Sequence, residues 1–173
     1  MIFGMVNFAK QLNIKRKKMK PKFIAAYLVD TSTKEEPLYL LIRRSPKDYL
    51  PGIWQTVTGK VEDDENVKDA TFREIQEETG IECLELYNVD VTMFYEQHKD
   101  SIAFSANFCG YVDSNNPVVL SENEHDKFIW ATFEEAKALL AFPSQKESLS
   151  FIHSYFVLQK PDSVNRIIPM ITT

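Results

Sequence analysis

Residues 59–81 read GKVEDDENVKDATFREIQEETGI, and this stretch decides the fold. It holds eight acidic and three basic residues, so its net charge of −5 equals that of the whole chain. The pattern predicts a helix over 66–79, because Asn66 is a typical N-cap residue and Gly80 followed by apolar Ile81 is a typical helix end. The chain therefore concentrates its negative charge on one short loop and one helix.

Three glutamates share one side of this predicted helix. Glu74, Glu77 and Glu78 fall within an arc of about 80° at ~100° per residue, and they flank the apolar face. Like charges at this spacing destabilise a helix by about 0.2–0.5 kcal/mol per pair, and a hard divalent cation would remove the repulsion. A solvated, Glu-rich surface helix is the alternative, and the three residues alone leave both interpretations open.

The spacing across the stretch resembles the signature of the Nudix hydrolase superfamily, of which MutT-like proteins are members. The matching positions are Gly59, Glu65, Arg73-Glu74-Ile75, Glu77-Glu78 and Gly80-Ile81. The resemblance implies an α+β protein, an α/β/α sandwich around a central mixed sheet, in which the signature forms a loop–helix–loop. It also implies hydrolysis of a nucleoside diphosphate linked to another group, with Mg²⁺ or Mn²⁺ as the cofactor.

The resemblance also assigns roles to individual residues of the signature. Glu74, Glu77 and Glu78 would bind the cations, with Glu77 and Glu78 as the direct ligands expected first. A backbone carbonyl near Gly59 would complete the metal shell. Glu65 and Arg73 would order the helix and its loop.

A narrower resemblance lies on both sides of the signature. Residues 54–59 (WQTVTG) and Glu124-His125 ahead of Trp130 resemble the branch with dATP pyrophosphohydrolase and dihydroneopterin triphosphate pyrophosphatase. In that branch an acidic residue before a late strand is a further metal ligand or the base, and Glu124 is the matching position. Glu122 is the nearby alternative. His125 is either a supporting group or a structural histidine.

Phosphate binding has to rely on cations and basic side chains, because the five glycines form no phosphate-binding loop. Arg43, Arg44 and Lys60 are candidates, with ordinary surface charge as the alternative. Trp54 is a candidate for stacking on a base, or a core residue. The resemblance implies a nucleotide or pterin polyphosphate substrate that yields a monophosphate and pyrophosphate. A dinucleoside polyphosphate or nucleotide-sugar hydrolase, or a non-catalytic binding module, are the alternatives.

The composition of the 173 residues limits the remaining function classes. A net charge of −5 argues against a general nucleic-acid binder, and no run approaches the ~18 apolar residues of a membrane span. Two isolated cysteines predict no disulfide framework, as is usual for the cytoplasm, where we expect this protein. A homodimer is common in the resembled family.

The chain is predicted to form one domain over 22–160. A basic extension covers 1–21 and a carboxyl-terminal tail covers 161–173, both outside the domain core. Strands are predicted at 22–30, 38–42, 53–58, 84–95, 101–112 and 127–131. Helices are predicted at 66–79, 132–141 and 145–158.

Overall fold

The computed structural model describes residues 19–32 and 36–167. The first eighteen residues of the expected basic extension and the last six of the expected tail lie outside these ranges. Within them no helix is both long and apolar enough to cross a membrane.

The described residues form eight strands and three α-helices. The strands are β1 (Phe23–Asp30), β2 (Leu38–Arg44), β3 (Trp54–Gln55), β4 (Val57–Lys60), β5 (Glu85–Glu96), β6 (Ser101–Tyr111), β7 (His125–Ala131) and β8 (Arg166–Ile167). The helices are α1 (Val67–Thr79), α2 (Phe133–Leu139) and α3 (Pro143–Ile152). Short 3₁₀ turns cover Gln97–Lys99 and Ser163–Asn165, and a π-helical turn covers His153–Val157.

Strand β1 is the centre of a mixed sheet. It runs parallel to β6 and antiparallel to β2 and β4. Strand β2 also pairs with β3 and β7, while β6 pairs with β5 and β5 with β8. Every residue of β1 except Phe23 is buried, because helices cover both faces of the sheet.

Two apolar layers separate the sheet from its helices. Ile24, Leu28 and Ile42 pack with Ile75 of α1 on one face. On the other face, Leu41 and its neighbours pack with α2 and α3. The expected α/β/α sandwich with a mixed sheet is thus confirmed.

Helix α1 begins and ends where the sequence predicts. The Asn66 side chain accepts a hydrogen bond from the backbone N–H of Asp69 at 2.9 Å. Gly80 has φ +67°, a left-handed conformation that glycine adopts without strain, and its N–H donates to the Gln76 carbonyl at 2.9 Å. These two caps hold the acidic helix between β4 and the loop after Gly80.

Two predicted elements differ from the observed ones. The strand expected over 53–58 is divided into β3 and β4 at Thr56, whose buried hydroxyl donates to the Ala26 carbonyl instead of continuing the ladder. The helix expected over 145–158 is α3, which begins earlier, at Pro143, followed by the π-helical turn. Proline is well placed in a first helical turn, so Pro143 is the sequence signal for this earlier start.

The domain also extends beyond the expected boundary at residue 160. Ile167 pairs with Leu86 of β5 and packs against the core. The Arg166 guanidinium donates to Glu85 at 3.0 Å. A two-residue strand carries no measurable periodicity, so the sequence indicated only a tail here. At the other end, Lys20 already contacts the domain by donating to the Glu65 carbonyl.

Candidate metal centre

The Arg73 guanidinium connects the acidic loop to the acidic helix. Its Nε and Nη2 atoms donate to both oxygens of Glu65, each at 2.9 Å, and Nη1 donates to Glu74 at 2.9 Å and to Glu77 at 3.0 Å. Nη2 also donates to the Lys60 carbonyl at 2.9 Å. The hydrogen bond from Arg73 lowers the pKa of Glu65 below its ordinary value. Glu65 and Arg73 therefore connect the loop to the helix.

Gly59 lies directly against Glu74. A Cβ atom at position 59 would sit 1.9 Å from the Glu74 carboxyl carbon, so only glycine leaves room for this carboxylate. Burial raises the pKa of Glu74 above its ordinary value, although the Arg73 charge opposes that effect. The carboxylate is therefore held against the β4 backbone in a place where its charge is poorly solvated.

Glu78 is the buried carboxylate of the helix, with 3% of its surface exposed. One of its oxygens accepts a hydrogen bond from the Thr58 backbone N–H at 3.2 Å. Burial raises the pKa of Glu78 well above its ordinary value, and the nearby Glu74 raises it further. An ionised carboxylate at this depth requires a compensating positive charge.

Glu124, just before β7, and His125, the first residue of β7, lie close to Glu78 of α1. Ligand atoms of the three residues lie within 4.8 Å of one another, and His125 Nε2 lies 4.0 Å from Glu78 Oε1. Ser45 fixes this approach, since its N–H donates to the Glu124 carbonyl at 2.8 Å and its hydroxyl to the Asn123 carbonyl at 2.9 Å. Glu124, and not the alternative Glu122, belongs to this cluster.

A polar chain behind the cluster orients the imidazole of His125. Arg44 Nε donates to Gln55 Oε1 at 2.8 Å, which leaves Gln55 Nε2 to donate to Thr58 Oγ1 at 3.1 Å and to His125 Nε2 at 3.4 Å. Burial, with the Arg44 charge, lowers the pKa of His125 to about 4, so the ring is neutral at pH 7. Gln55 is not among the residues expected in the site from the sequence. A buried amide in an apolar strand was the signal that could have revealed it.

The expected residues that lie outside the cluster of Glu78, Glu124 and His125 include Arg43, Trp54, Lys60 and Glu77. Arg43 pairs with Asp126 at 2.6 and 2.8 Å and lies over the Trp54 ring, 5.9 Å from its centre. Trp54 packs against the layer below α2 and α3, so this pair lies on the sheet face opposite α1. The Lys60 side chain is exposed, and the Glu77 carboxylate is mostly exposed beside Arg73.

The residues of this cluster fit a divalent cation. Glu78 and Glu124 supply carboxylate oxygens, which are the ligands that Mg²⁺ and Mn²⁺ prefer, and the Glu74 carboxylate is close enough to raise the pKa of Glu78. The carboxylates of Glu74 and Glu124 each raise the pKa of Glu78, whereas the Thr58 N–H and the Arg44 charge lower it and offset only part of this effect. A bound cation would offset both this repulsion and the burial of the Glu78 charge.

Comparison with known proteins identifies the fold family. The chain is 24% identical over 130 residues to the NAD-capped RNA hydrolase NudC of Pseudomonas aeruginosa, covering 75% of this chain and 44% of that protein. It therefore spans less than half the length of this curated relative. It is 26% identical over 121 residues to the CTP pyrophosphohydrolase of Escherichia coli K12, covering 69% of this chain and 83% of that protein.

A solved structure shows the same architecture. The E. coli dihydroneopterin triphosphate pyrophosphohydrolase matches with a TM-score of 0.61 at 22% identity, covering 82% of this chain and 99% of that one. At this level of identity the match supports the fold alone. The sequence model of the NUDIX domain matches residues 20–152, which include α1 and every residue of the cluster. The chain belongs to the NUDIX domain family.

Proposed function

We propose that this protein is a metal-dependent pyrophosphohydrolase that cleaves a phosphoanhydride bond of a nucleoside triphosphate-like substrate. The observation that carries the proposal is the buried carboxylate of Glu78, which lies in one cluster with Glu124 and His125 and whose pKa is raised despite the opposing Arg44 charge. Mg²⁺ or Mn²⁺ bound there would neutralise charge on phosphate oxygens and lower the pKa of an attacking water. The intact set of signature carboxylates argues against a non-catalytic binding module.

The position of each residue in the site indicates its proposed role. Glu74, Glu78 and Glu124 would hold the cation, together with the backbone carbonyl near Gly59. Glu77 lies on the solvent side of Arg73 and would bind a second cation that arrives with the substrate. Arg73 and Glu65 keep the helix and loop in register, and Gln55 keeps His125 turned toward Glu78.

The proton of the attacking water needs an acceptor. Glu124 is the candidate base, because it belongs to the cluster with Glu78 and is the exposed residue of that cluster. Arg44 is connected to this cluster through Gln55, which contacts His125. Arg43, Lys60 and Trp54 would contact the substrate only from outside the cluster. Water attack needs no covalent protein intermediate.

The proposed substrate is of the dATP or dihydroneopterin triphosphate type, which would give a monophosphate and pyrophosphate. The alternative is a dinucleoside polyphosphate or nucleotide-sugar hydrolase. The similarity to a CTP pyrophosphohydrolase, which covers most of that relative's length, favours the triphosphate class. A homodimer and a cytoplasmic location belong to the same proposal.

Product release across a substrate panel tests this function. Pyrophosphate and orthophosphate are measured with nucleoside triphosphates, dihydroneopterin triphosphate, ADP-ribose and diadenosine tetraphosphate, each with Mg²⁺, Mn²⁺ or chelator. We expect metal-dependent pyrophosphate release from a triphosphate, abolished in Glu78→Gln and retained in Glu147→Gln, an exposed residue of α3. Release of two nucleotides from diadenosine tetraphosphate alone would favour the alternative class. No turnover of any compound would contradict hydrolysis.

A further inference from the structure

A cavity of about 760 Å³ opens beside the metal centre. It lies between the segment that joins β6 to β7 and strand β7 itself, and its lining residues are Val118, Val119, Leu120, Glu122, His125, Asp126, Lys127 and Phe128. His125 lines this cavity and also belongs to the cluster with Glu78 and Glu124. A group attached to phosphates held at the cluster would therefore enter this cavity, whose volume falls within the usual range for small-ligand sites.

Phe128 gives the cavity an exposed aromatic surface. Its side chain is 43% exposed, although β7 lies within the sheet and Phe128 is paired there with Ile42. Ile42 is also the register partner of Gln55, so Phe128 and Gln55 share the sheet face that carries the metal centre. A planar ring stacked on Phe128 would keep its attached phosphates on that same face.

Glu122 gives the cavity a free carboxylate. The other acidic lining residue, Asp126, is occupied by Arg43, which donates to both of its oxygens. In the described part of the chain no hydrogen bond or ion pair engages the Glu122 side chain. The turn that carries Glu122 is fixed, because the Ser121 carbonyl accepts from the N–H groups of both Glu124 and His125 at 3.0 and 2.9 Å. This turn presents Glu124 to the cluster and Glu122 to the cavity.

The chemistry of a carboxylate selects one kind of ring edge. An ionised carboxylate only accepts hydrogen bonds, and its two oxygens match two adjacent N–H donors. Guanine and pterins present such an edge, made of a ring N–H and the neighbouring 2-amino group. Adenine and cytosine present a donor beside an acceptor. The acceptor atom of such a base and the carboxylate oxygen opposite it would both lack a proton to share, so they would repel each other.

We propose that this cavity binds the ring of the substrate, with Phe128 stacking on it and Glu122 selecting a 2-amino-4-oxo ring of the guanine or pterin type. The inference rests on the proposed function, because it takes the phosphates to lie at the metal centre. It narrows the triphosphate class to dihydroneopterin triphosphate or guanine nucleotides and disfavours dATP and CTP.

Product binding tests the ring preference without requiring turnover. Calorimetry with Mg²⁺ compares GMP with AMP on the wild-type protein, on Glu122→Gln and on the matched control Glu134→Gln, an exposed residue of α2. We expect GMP to bind about 10-fold or more tightly than AMP. Glu122→Gln should remove most of this ratio, while Glu134→Gln should keep it. Equal binding of the two nucleotides, or an unchanged ratio in Glu122→Gln, would overturn the inference.

Kinetics then separate this inference from the proposed function. The kcat/KM values are compared for dihydroneopterin triphosphate, dGTP, dATP and CTP, and Phe128→Leu should raise KM for the preferred substrate with little change in kcat. Pyrophosphate release with dATP or CTP preferred would overturn the ring assignment and leave the proposed function standing. A preference for GMP in binding without hydrolysis of any triphosphate would support the cavity and contradict the proposed function.

Discussion

At the scale of single residues, Glu78 shows how the metal centre depends on unfavourable electrostatics. Its carboxylate is buried, faces other carboxylates and receives one backbone hydrogen bond. Such an arrangement costs stability in the metal-free protein, and a cation bound there would relieve this cost. A residue that weakens the fold while completing a site is typical of functional positions.

The pH dependence of stability should reveal this cost. The pKa of Glu78 is higher in the folded protein than in the unfolded chain, so ionisation of Glu78 lowers the free energy of unfolding at pH 7.5. This destabilisation disappears as the pH falls through the folded pKa toward the unfolded pKa. Metal-free Glu78→Gln should therefore be more stable than wild type by about 1–3 kcal/mol at pH 7.5, with a smaller difference at pH 5. Urea unfolding in chelator at both pH values measures this.

Wild type has to be compared with Glu78→Gln because the titration of His125 changes the stability with pH in the opposite direction. Its pKa is lowered to about 4 in the folded state, so protonation of the unfolded chain reduces stability as the pH falls below 6.5. That loss is common to both proteins and cancels in the difference. A Glu78→Gln variant that is less stable than wild type at pH 7.5, by the same amount at pH 5, would contradict the account.

Arg73 depends on its planar, forked guanidinium. Lysine at this position keeps the charge but cannot donate to both oxygens of Glu65 while also reaching Glu74 and the Lys60 carbonyl. Arg73→Lys should lower the free energy of unfolding by about 1–3 kcal/mol and weaken cation binding. Denaturation in chelator, with exposed Arg166→Lys as the control, checks this. An equal loss in both variants would show that the Arg73 network adds nothing.

The local sequence predicted only part of the metal centre. The signature spacing identified Gly59, Glu65, Arg73 and the three glutamates, because they all belong to one continuous loop and helix. The positions of Gln55 behind the metal centre and of Phe128 in the neighbouring cavity were not predicted, since both depend on pairing with β2. The sequence also placed Arg43 with Arg44, whereas neighbouring residues on a strand point to opposite faces of the sheet.

At the scale of elements, helix α1 depends on both of its caps. Asn66→Ala removes the hydrogen bond to the Asp69 N–H and should lower the free energy of unfolding by about 1 kcal/mol. Thr132→Ala is the matched change at the N-cap of α2, which carries no metal ligand. Both variants should lose similar stability, but only Asn66→Ala should also weaken Mn²⁺ binding, as measured by titration. Equal Mn²⁺ affinity in the two would contradict this.

The opposite end of α1 links the helix to the cavity. Gly80 has φ +67°, and a Cβ atom there would lie 3.1 Å from Val119, a residue of the cavity wall. Gly80→Ala should therefore destabilise the fold and raise the Kd for GMP. The matched control is Gly52→Ala, which has a similar φ of +77° but no atom near its Cβ and should destabilise without changing GMP binding. Calorimetry checks both, and an equal effect on Kd would contradict the link.

Elements with strong local signals agreed with their sequence predictions. The capped helices and the long strands β5 and β6 were recognised from periodicity and turn residues. The break at Thr56 was not, because it depends on a hydrogen bond to Ala26 in a neighbouring strand. Short elements that form only through tertiary contacts contain too few residues to show a periodic hydrophobic pattern.

At the scale of the whole molecule, β8 closes the sheet on the outer side of β5. It covers only the beginning of that strand, through Leu86 and Tyr87. Ending the chain at residue 160 should therefore lower the free energy of unfolding, and Ile167→Ala should reproduce part of the loss by removing its contact with the core. Thermal unfolding of both proteins checks this. Wild-type stability in the shortened chain would show that β8 is dispensable.

The most direct test of the central claim is binding of Mn²⁺ without substrate, followed by electron paramagnetic resonance titration. The account predicts a saturable site in the wild-type protein, the same affinity in Glu147→Gln, and an affinity about 10-fold or more lower in Glu78→Gln. Mg²⁺ should displace the bound Mn²⁺. Equal Mn²⁺ affinity in wild type and Glu78→Gln would contradict a metal centre built around the buried carboxylate of α1.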